Sequence, residues 1–422
     1  MNAPAAGPLN RMDLVARYRA VRAQSERLCT PLATDDYQIQ SVLETSPPKW
    51  HLAHVSWFFE TFLLQPHAPG YRPFHPGFEH LFNSYYESVG SFHPRARRGL
   101  LSRPTVDEVY RYRRHVDDAV LALMHSIPDA RWGAVTSRVT LGLHHEQQHQ
   151  ELLLMDIKHN FAVNPLRPAY RPRSSEASSP PSPPLHWIER AGGIAEIGHE
   201  GSGFAFDNET PRHAVLLRDH ALASRPVTNG EYLEFMASGG YGDARHWLAD
   251  GWAKVREQDW SAPLYWEQRD GEWWHMTLDG CRPVNAAEPV CHVSFYEADA
   301  YARWAGKRLP REEELETMLA AEPVAGNFVE SGLLHPRPAA AGDGQWYGDV
   351  WEWTRSAYSP YPGFVPLAGS LGEYNGKFMA NQMVLRGGSC ATPRSHMRES
   401  YRNFFYPHDR WPFTGIRLAA DR

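Results

Sequence analysis

An all-helical domain followed by an irregular α+β domain is the fold that this sequence predicts. Three observations carry it. Four long stretches in the first 162 residues place apolar residues at helical spacing. Residues 171–184, Arg-Pro-Arg-Ser-Ser-Glu-Ala-Ser-Ser-Pro-Pro-Ser-Pro-Pro, are a linker by composition. Beyond them short segments alternate with Gly, Pro, Asn and Asp, and Trp is frequent. The expected division is therefore 1–170, a helical bundle; 171–184, a linker; and 185–422, the α+β domain. A chain of 422 residues is longer than one core usually serves, which agrees.

The first helix is expected over 8–30, from Leu14, Val15, Tyr18 and Val21. A second is expected over 36–66, broken around Ser46-Pro47-Pro48. Its later part, Trp50 to Glu60, is apolar on most sides and so predicted to be buried. Residues 67–104, rich in Pro, Gly, His and aromatics, read as a long structured loop. Thr105-Val106-Asp107-Glu108 has the form of a capping box opening a helix to about 126. The fourth helix is expected over 135–162, and an antiparallel bundle of four can house a metal in its interior. In the second domain the clearest element is a helix at 295–306, opened by Ser294 and Glu297.

Composition excludes several classes. The net charge is -6 and no basic run occurs, so nucleic acid and anionic membrane are poor partners. No stretch approaches the roughly 18 apolar residues of a membrane span. Residues 1–7 lack a charged start followed by an apolar core, so no secretory signal is expected. Cys29, Cys281, Cys291 and Cys390 are scattered and form no C-x-x-C pair, which suits a reducing, cytoplasmic setting.

The chemistry centres on His144-His145-Glu146-Gln147-Gln148-His149. On a helix His145 and His149 lie one turn apart on one face, where two imidazoles can hold one metal ion. Gln147 reads as standing where the hydrolytic zinc pattern has its glutamate base, which turns the expectation from hydrolysis towards oxygen chemistry. The plain alternative is two histidines on a polar helix face. A third ligand is needed, and the aromatic helix offers His54 and, one turn earlier, His51. Three histidines leave open coordination positions, suited to zinc hydrolysis or to iron with dioxygen. The loop Asn83 to Gly90 carries Tyr85 and Tyr86, phenols that can deliver a proton near a metal or simply pack. Arg95, Arg97 and Arg98 can clamp a carboxylate or remain solvated. Gly348 to Thr354, Leu385 to Ser389, Tyr401 to Tyr406 and Gly415-Ile416-Arg417 set tight turns beside large aromatics, a rigid loop-built pocket or a Trp-rich core. Aromatic rings of this kind can box a quaternary ammonium group.

These residues carry a resemblance. The first part resembles the DinB-like four-helix bundle. The second resembles the formylglycine-generating-enzyme fold (sulfatase-modifying factor, C-type-lectin-like), through Pro289 to Ala298, Trp304 to Pro310, Gly348 to Thr354, Arg386 to Ser389 and Gly415 to Arg417. Joined in this order they are similar to the ergothioneine-type sulfoxide synthases (EgtB-like). The resemblance implies a non-heme Fe(II) oxygenase that uses O2 to join a chalcogen donor to the imidazole carbon of hercynine, the trimethylated betaine of histidine. It implies His54, His145 and His149 as iron ligands, so it selects His54 over His51. It implies Tyr85 and Tyr86 as the tyrosine pair of one branch, since the other branch's loop tyrosine falls at Leu371 here. It implies Gln148, Asn403, Phe404 and Phe405 as the hercynine pocket.

One departure bears on the donor. Relatives using cysteine or γ-glutamylcysteine commonly have Arg-His-Pro-Arg where this chain has Phe92-His93-Pro94-Arg95. Losing one charged hydrogen-bond donor costs a carboxylate about 1.5–3 kcal/mol. A seleno-sugar has no such carboxylate to lose, so the sequence resembles the selenoneine synthase relatives (SenA-like) and favours a selenol donor over a thiol. Formylglycine generation is disfavoured, because Cys390 has no nearby cysteine in sequence. A lectin-like binding protein and a zinc thiol transferase are the remaining alternatives.

Overall fold

Helix α1 (Arg11–Cys29) starts where the Asn10 side chain accepts from the Asp13 backbone N–H. The computed structural model describes residues 10–172, 181–340, 342 and 344–422. The expected helix start at 8–9 and residues 173–180 of the expected linker lie outside them. Contacts divide the chain into two units. The first runs to Val163 and also takes in 201–206 and 366–374; the second holds 164–200, 207–365 and 375–422.

In the first unit, α1 buries Leu14, Val15, Tyr18, Val21 and Leu28 along one stripe. Each such side chain contributes roughly 2 kcal/mol on burial. Helix α2 (Pro48–Phe59) begins with Pro48 at its first position, where a missing N–H costs nothing and the fixed φ suits the helix. The sequence predicts helix on both sides of this proline. Only a short 3₁₀ turn, Thr34–Gln38, precedes it. Beyond Phe59 the helical path continues through a π-turn, Glu60–Leu64, and then Gln65–His67. All twelve residues of α2 are buried, as their apolar run predicts.

The segment read as loop holds a short helix, Phe78–Phe82, and a 3₁₀ turn, Arg95–Leu100. Helix α3 (Val106–Ser126) opens on the capping box of Thr105 and Glu108. Helix α4 (Asp129–Val163) starts six residues before the expected 135 and runs for 35 residues. Helix α2 packs on α3 and α4, and α1 packs on α4.

The second unit is α+β with much loop. One sheet orders its strands Asn403–Phe405, Met383–Arg386, Trp351–Ala357 and Thr414–Gly415, antiparallel except for the last pair. A second joins Trp187–Arg190, His220–Ala223 and Ala419–Asp421. Helix Phe295–Trp304 has the predicted Ser294–Glu297 capping box. Arg386 and Arg417 turn out to be core ion pairs: Arg386 meets Glu316 at 2.7 Å and Glu312 at 3.1 Å, and Arg417 meets Glu352 at 2.7 Å. Gly388, at φ +83°, turns the chain where a Cβ would press on Met397 and Phe328 at 3.1 Å. No helix among the described residues is long and apolar enough to cross a membrane.

Candidate metal centre

Helices α2 and α4 each present two histidines to a common space. His51 and His54 are three residues apart, and His145 and His149 four apart, so each pair shares one helix face. One nitrogen from each of His54, His145 and His149 lies within 4.8 Å of the other two. The Nε2 atoms of His54 and His145 are 3.1 Å apart.

Hydrogen bonds fix which nitrogens remain available. His54 Nδ1 donates to the Phe82 carbonyl at 2.6 Å, leaving Nε2 with its lone pair. His51 Nε2 donates to Asp156 Oδ2 at 2.9 Å, so its Nδ1 accepts from His149 Nδ1, also at 2.9 Å. His149 Nε2 is thereby left as a lone-pair donor. The two α2 candidates are placed differently: His54 is in the cluster, and His51 is hydrogen-bonded to His149 from outside it. His145 Nδ1 is buried with no hydrogen-bond partner. Burial lowers the His145 imidazole to about 3, with Glu146 acting weakly against it. Burial lowers His54 and His149 as well, reinforced by the neighbouring rings. Three neutral imidazoles with more lone pairs than protons to share fit a divalent cation.

Rings wall this space. Trp50 stacks on His54, centroids 4.6 Å apart at 12°, and Trp57 stacks on it at 5.4 Å and 16°. Phe58 lies 4.4 Å from the His145 ring.

The glutamate of the hydrolytic pattern is Glu146, not Gln147: His145-Glu146-Gln147-Gln148-His149 satisfies His-Glu-x-x-His as written. The geometry denies Glu146 the role of a base. It is fully buried and bonds Arg22 at 2.9 Å, Arg113 at 3.1 Å and Ser25 at 2.6 Å. Burial alone raises its pKa, but the two arginines outweigh that and hold it at about 2. The expectation of non-hydrolytic chemistry thus rests on the arginine cage and not on a missing glutamate.

A residue that sequence reading missed stands at this face. The Tyr374 hydroxyl donates to Gln148 Oε1, and its ring lies 5.7 Å from His145 and 5.3 Å from Phe206. Leu371, where no loop tyrosine was expected, is buried three residues earlier. The Tyr85 and Tyr86 rings stack at 4.7 Å, and Tyr86 packs on Trp57 at 5.6 Å. Their loop is stapled by Asn83, whose amide binds the Tyr86 and Gly90 carbonyls at 2.9 and 3.1 Å. Glu373 accepts from the backbone N–H groups of Glu87 and Ser88 at 3.0 Å each, tying this loop to Tyr374's own segment.

Phe92 is half-buried and Arg95 exposed. The arginine that reaches the histidine surroundings is Arg98, whose guanidinium carbon sits 3.4 Å from the Trp50 ring centroid. Asn403, Phe404 and Phe405 form a strand of the second unit, with Phe404 stacked on Tyr358 at 4.0 Å.

A helical part whose three-histidine face could hold a metal ion, and a loop-rich α+β part, define a two-domain class. Comparison with known proteins specifies it. Residues 17–153 match the DinB superfamily, and residues 182–336 and 327–422 match the sulfatase-modifying factor enzyme 1-like domain. Hercynine oxygenase of Mycobacterium tuberculosis is 33% identical over 410 residues, covering 89% of this chain and 91% of that protein. Hercynine oxygenase of Mycolicibacterium thermoresistibile is 33% identical, covering 89% and 87%. The formylglycine-generating enzyme of Streptomyces coelicolor is 30% identical over 304 residues, 60% of this chain and 92% of that protein. The chain belongs to the hercynine oxygenase family, the ergothioneine sulfoxide synthases, and is an oxygenase.

Proposed function

We propose that the protein couples a thiol sulfur to the imidazole carbon of hercynine, with O2 as oxidant and Fe(II) held by His54, His145 and His149. The supporting observation is the convergence of ring nitrogens from His54, His145 and His149, the first two buried and the third half-buried, in a chain whose relatives across nine-tenths of its length are named hercynine oxygenases. Iron, when bound, supplies open positions at which O2 and the donor's sulfur come together beside the imidazole, making the coupling effectively intramolecular.

The chain's own residues set the geometry. Asp156, through His51, holds His149 in the tautomer that presents Nε2. Tyr374, hydrogen-bonded to Gln148 with its ring 5.7 Å from that of His145, is the proposed proton donor, with Tyr85 and Tyr86 the second candidates. Gln148, Asn403, Phe404 and Phe405 are proposed to hold hercynine, aromatic faces suiting its trimethylammonium group. Phe92 and Arg95 are proposed to meet the donor. The setting is proposed to be cytoplasmic.

A second reading has one observation behind it. By the family resemblance, Phe92 falls where thiol-using members commonly have an arginine, which favours a selenol donor without a carboxylate. One experiment addresses both. Iron-loaded protein receives hercynine in air with cysteine, γ-glutamylcysteine or a seleno-sugar, and products are read by mass. Oxygen-dependent turnover with a thiol is expected. Turnover with the seleno-sugar alone reassigns the donor, and no hercynine adduct with any donor overturns the proposal.

A further inference from the structure

The second unit contains another convergence of metal-ligating side chains, 126 or more residues beyond His149 in sequence. His275, Glu288 and His335 are all buried, and one ligand atom from each lies within 4.8 Å of the other two. We propose that these three residues form a second metal site, a structural zinc site independent of the three-histidine centre.

The three come from separate pieces of chain. His275 is in the middle strand, Glu272–Thr277, of a three-stranded sheet. Glu288 follows the third strand, Gly280–Pro283. His335 arrives from a loop after the 3₁₀ turn Val329–Ser331. Their backbones are pinned. The Glu288 N–H donates to the Asn285 carbonyl at 3.2 Å, and its own carbonyl accepts from Asn229 at 2.7 Å. The His335 carbonyl accepts from Asn327 at 2.8 Å. A site held this way loses little conformational freedom on binding an ion.

The contacts have the form of a ligand set with an outer partner. His335 Nε2 lies 3.0 Å from Glu288 Oε2. The His275 and His335 rings are 5.2 Å apart and perpendicular, at 88°. Arg282 sits directly across the ladder from His275 and so on the same face of the sheet. Its Nη2 donates to both Glu288 oxygens, at 3.0 and 3.1 Å. A carboxylate gripped in this way is oriented as metal-bound carboxylates are by their outer hydrogen bonds. A small cavity of about 10 Å³, enough for one water, opens beside His275 and His335.

Two imidazoles, one carboxylate and room for one water make a four-coordinate nitrogen and oxygen set, the donor chemistry of Zn²⁺. Burial inside an irregular, loop-built unit gives the ion a structural role. It would tie the 266–283 sheet to the loop at 335, which short strands alone hold weakly.

The test uses the full chain, stripped with a chelator, reloaded with Zn²⁺ and desalted before elemental analysis. Wild type is expected to retain two equivalents, because zinc also fills the three-histidine centre. The His145→Ala/His149→Ala protein is expected to retain one, and adding Glu288→Gln or His335→Gln to it to leave less than a tenth of one. Zinc is also expected to raise the Tm of the His145→Ala/His149→Ala protein. Cobalt titration of wild type needs no variant and is expected to break at two equivalents. A break at one equivalent overturns the site. So does a folded His145→Ala/His149→Ala protein that keeps no zinc, which would leave Glu288 as the partner of Arg282 and His335 alone.

Discussion

The Tyr374 hydroxyl is hydrogen-bonded to the side-chain oxygen of Gln148, one residue before His149 and 226 positions away in sequence. That bond and the 5.7 Å approach to the His145 ring put a phenol at the edge of the ligand face. A proton donor placed there contributes about 10²–10⁴-fold to a rate. Tyr374→Phe is therefore expected to keep its iron while losing about 10²-fold or more of the coupling rate, read by single-turnover product formation. Equal loss of bound iron would assign Tyr374 to packing of the metal face instead.

Asp156 does not touch the three-histidine cluster by hydrogen bond, yet it sets the proton arrangement there. Through His51 it decides which nitrogen of His149 carries hydrogen. Loss of such outer partners lowers metal affinity about 10–100-fold. Asp156→Asn is expected to weaken iron binding by that factor in a chelator competition, with the helical content unchanged. Unaltered affinity would show that His149 needs no orientation from behind. Asp156 also accepts from the Ser46 N–H at 2.8 Å, so His51→Phe, which leaves that bond intact, is the companion variant.

Much of the three-histidine cluster was legible because it is local. His145 and His149 are one helical turn apart, and Thr105–Glu108 and Ser294–Glu297 announce helix starts within four residues. His51 and His54 could not be told apart by periodicity, since both lie on a helix buried on all sides. Their difference is a partner: Phe82's carbonyl for one, Asp156 for the other. Tyr374 was illegible for the opposite reason. It follows a 3₁₀ turn, Gly369–Glu373, with no repeat to read, and only tertiary packing carries it to Gln148. The arginines of Arg-Gly-Gly-Ser and Gly-Ile-Arg hinted at a pocket and proved to be buried ion pairs, because their partners Glu312, Glu316 and Glu352 belong to other elements.

Glu146 separates structure from catalysis by a simple substitution. Its carboxylate neutralises Arg22 and Arg113 inside the bundle. Removing one partner of a buried charge pair costs about 3–5 kcal/mol. Glu146→Gln is expected to lower the Tm of the helical unit by about 10 °C, at about 2–4 °C per kcal/mol for a unit of this size. A variant with wild-type Tm and no turnover would instead restore Glu146 as a base of the hydrolytic kind.

The metal-free protein should be sensitive to mild acid. Burial keeps His145 neutral down to about 3, whereas in the unfolded chain it protonates near 6.5. Between those values the unfolded state binds the extra proton, so stability falls as pH falls, by about 1.4 kcal/mol per unit for one such histidine. Glu146 acts in the same direction lower down: its contribution is complete above about 4.5 and is lost as pH falls towards about 2. Urea midpoints of stripped protein are therefore expected to drop steadily from pH 6.5 to 4. Iron raises them most at neutral pH, because protons compete with metal for the same nitrogens. A midpoint constant across that range would mean that the three imidazoles are not held neutral by the fold.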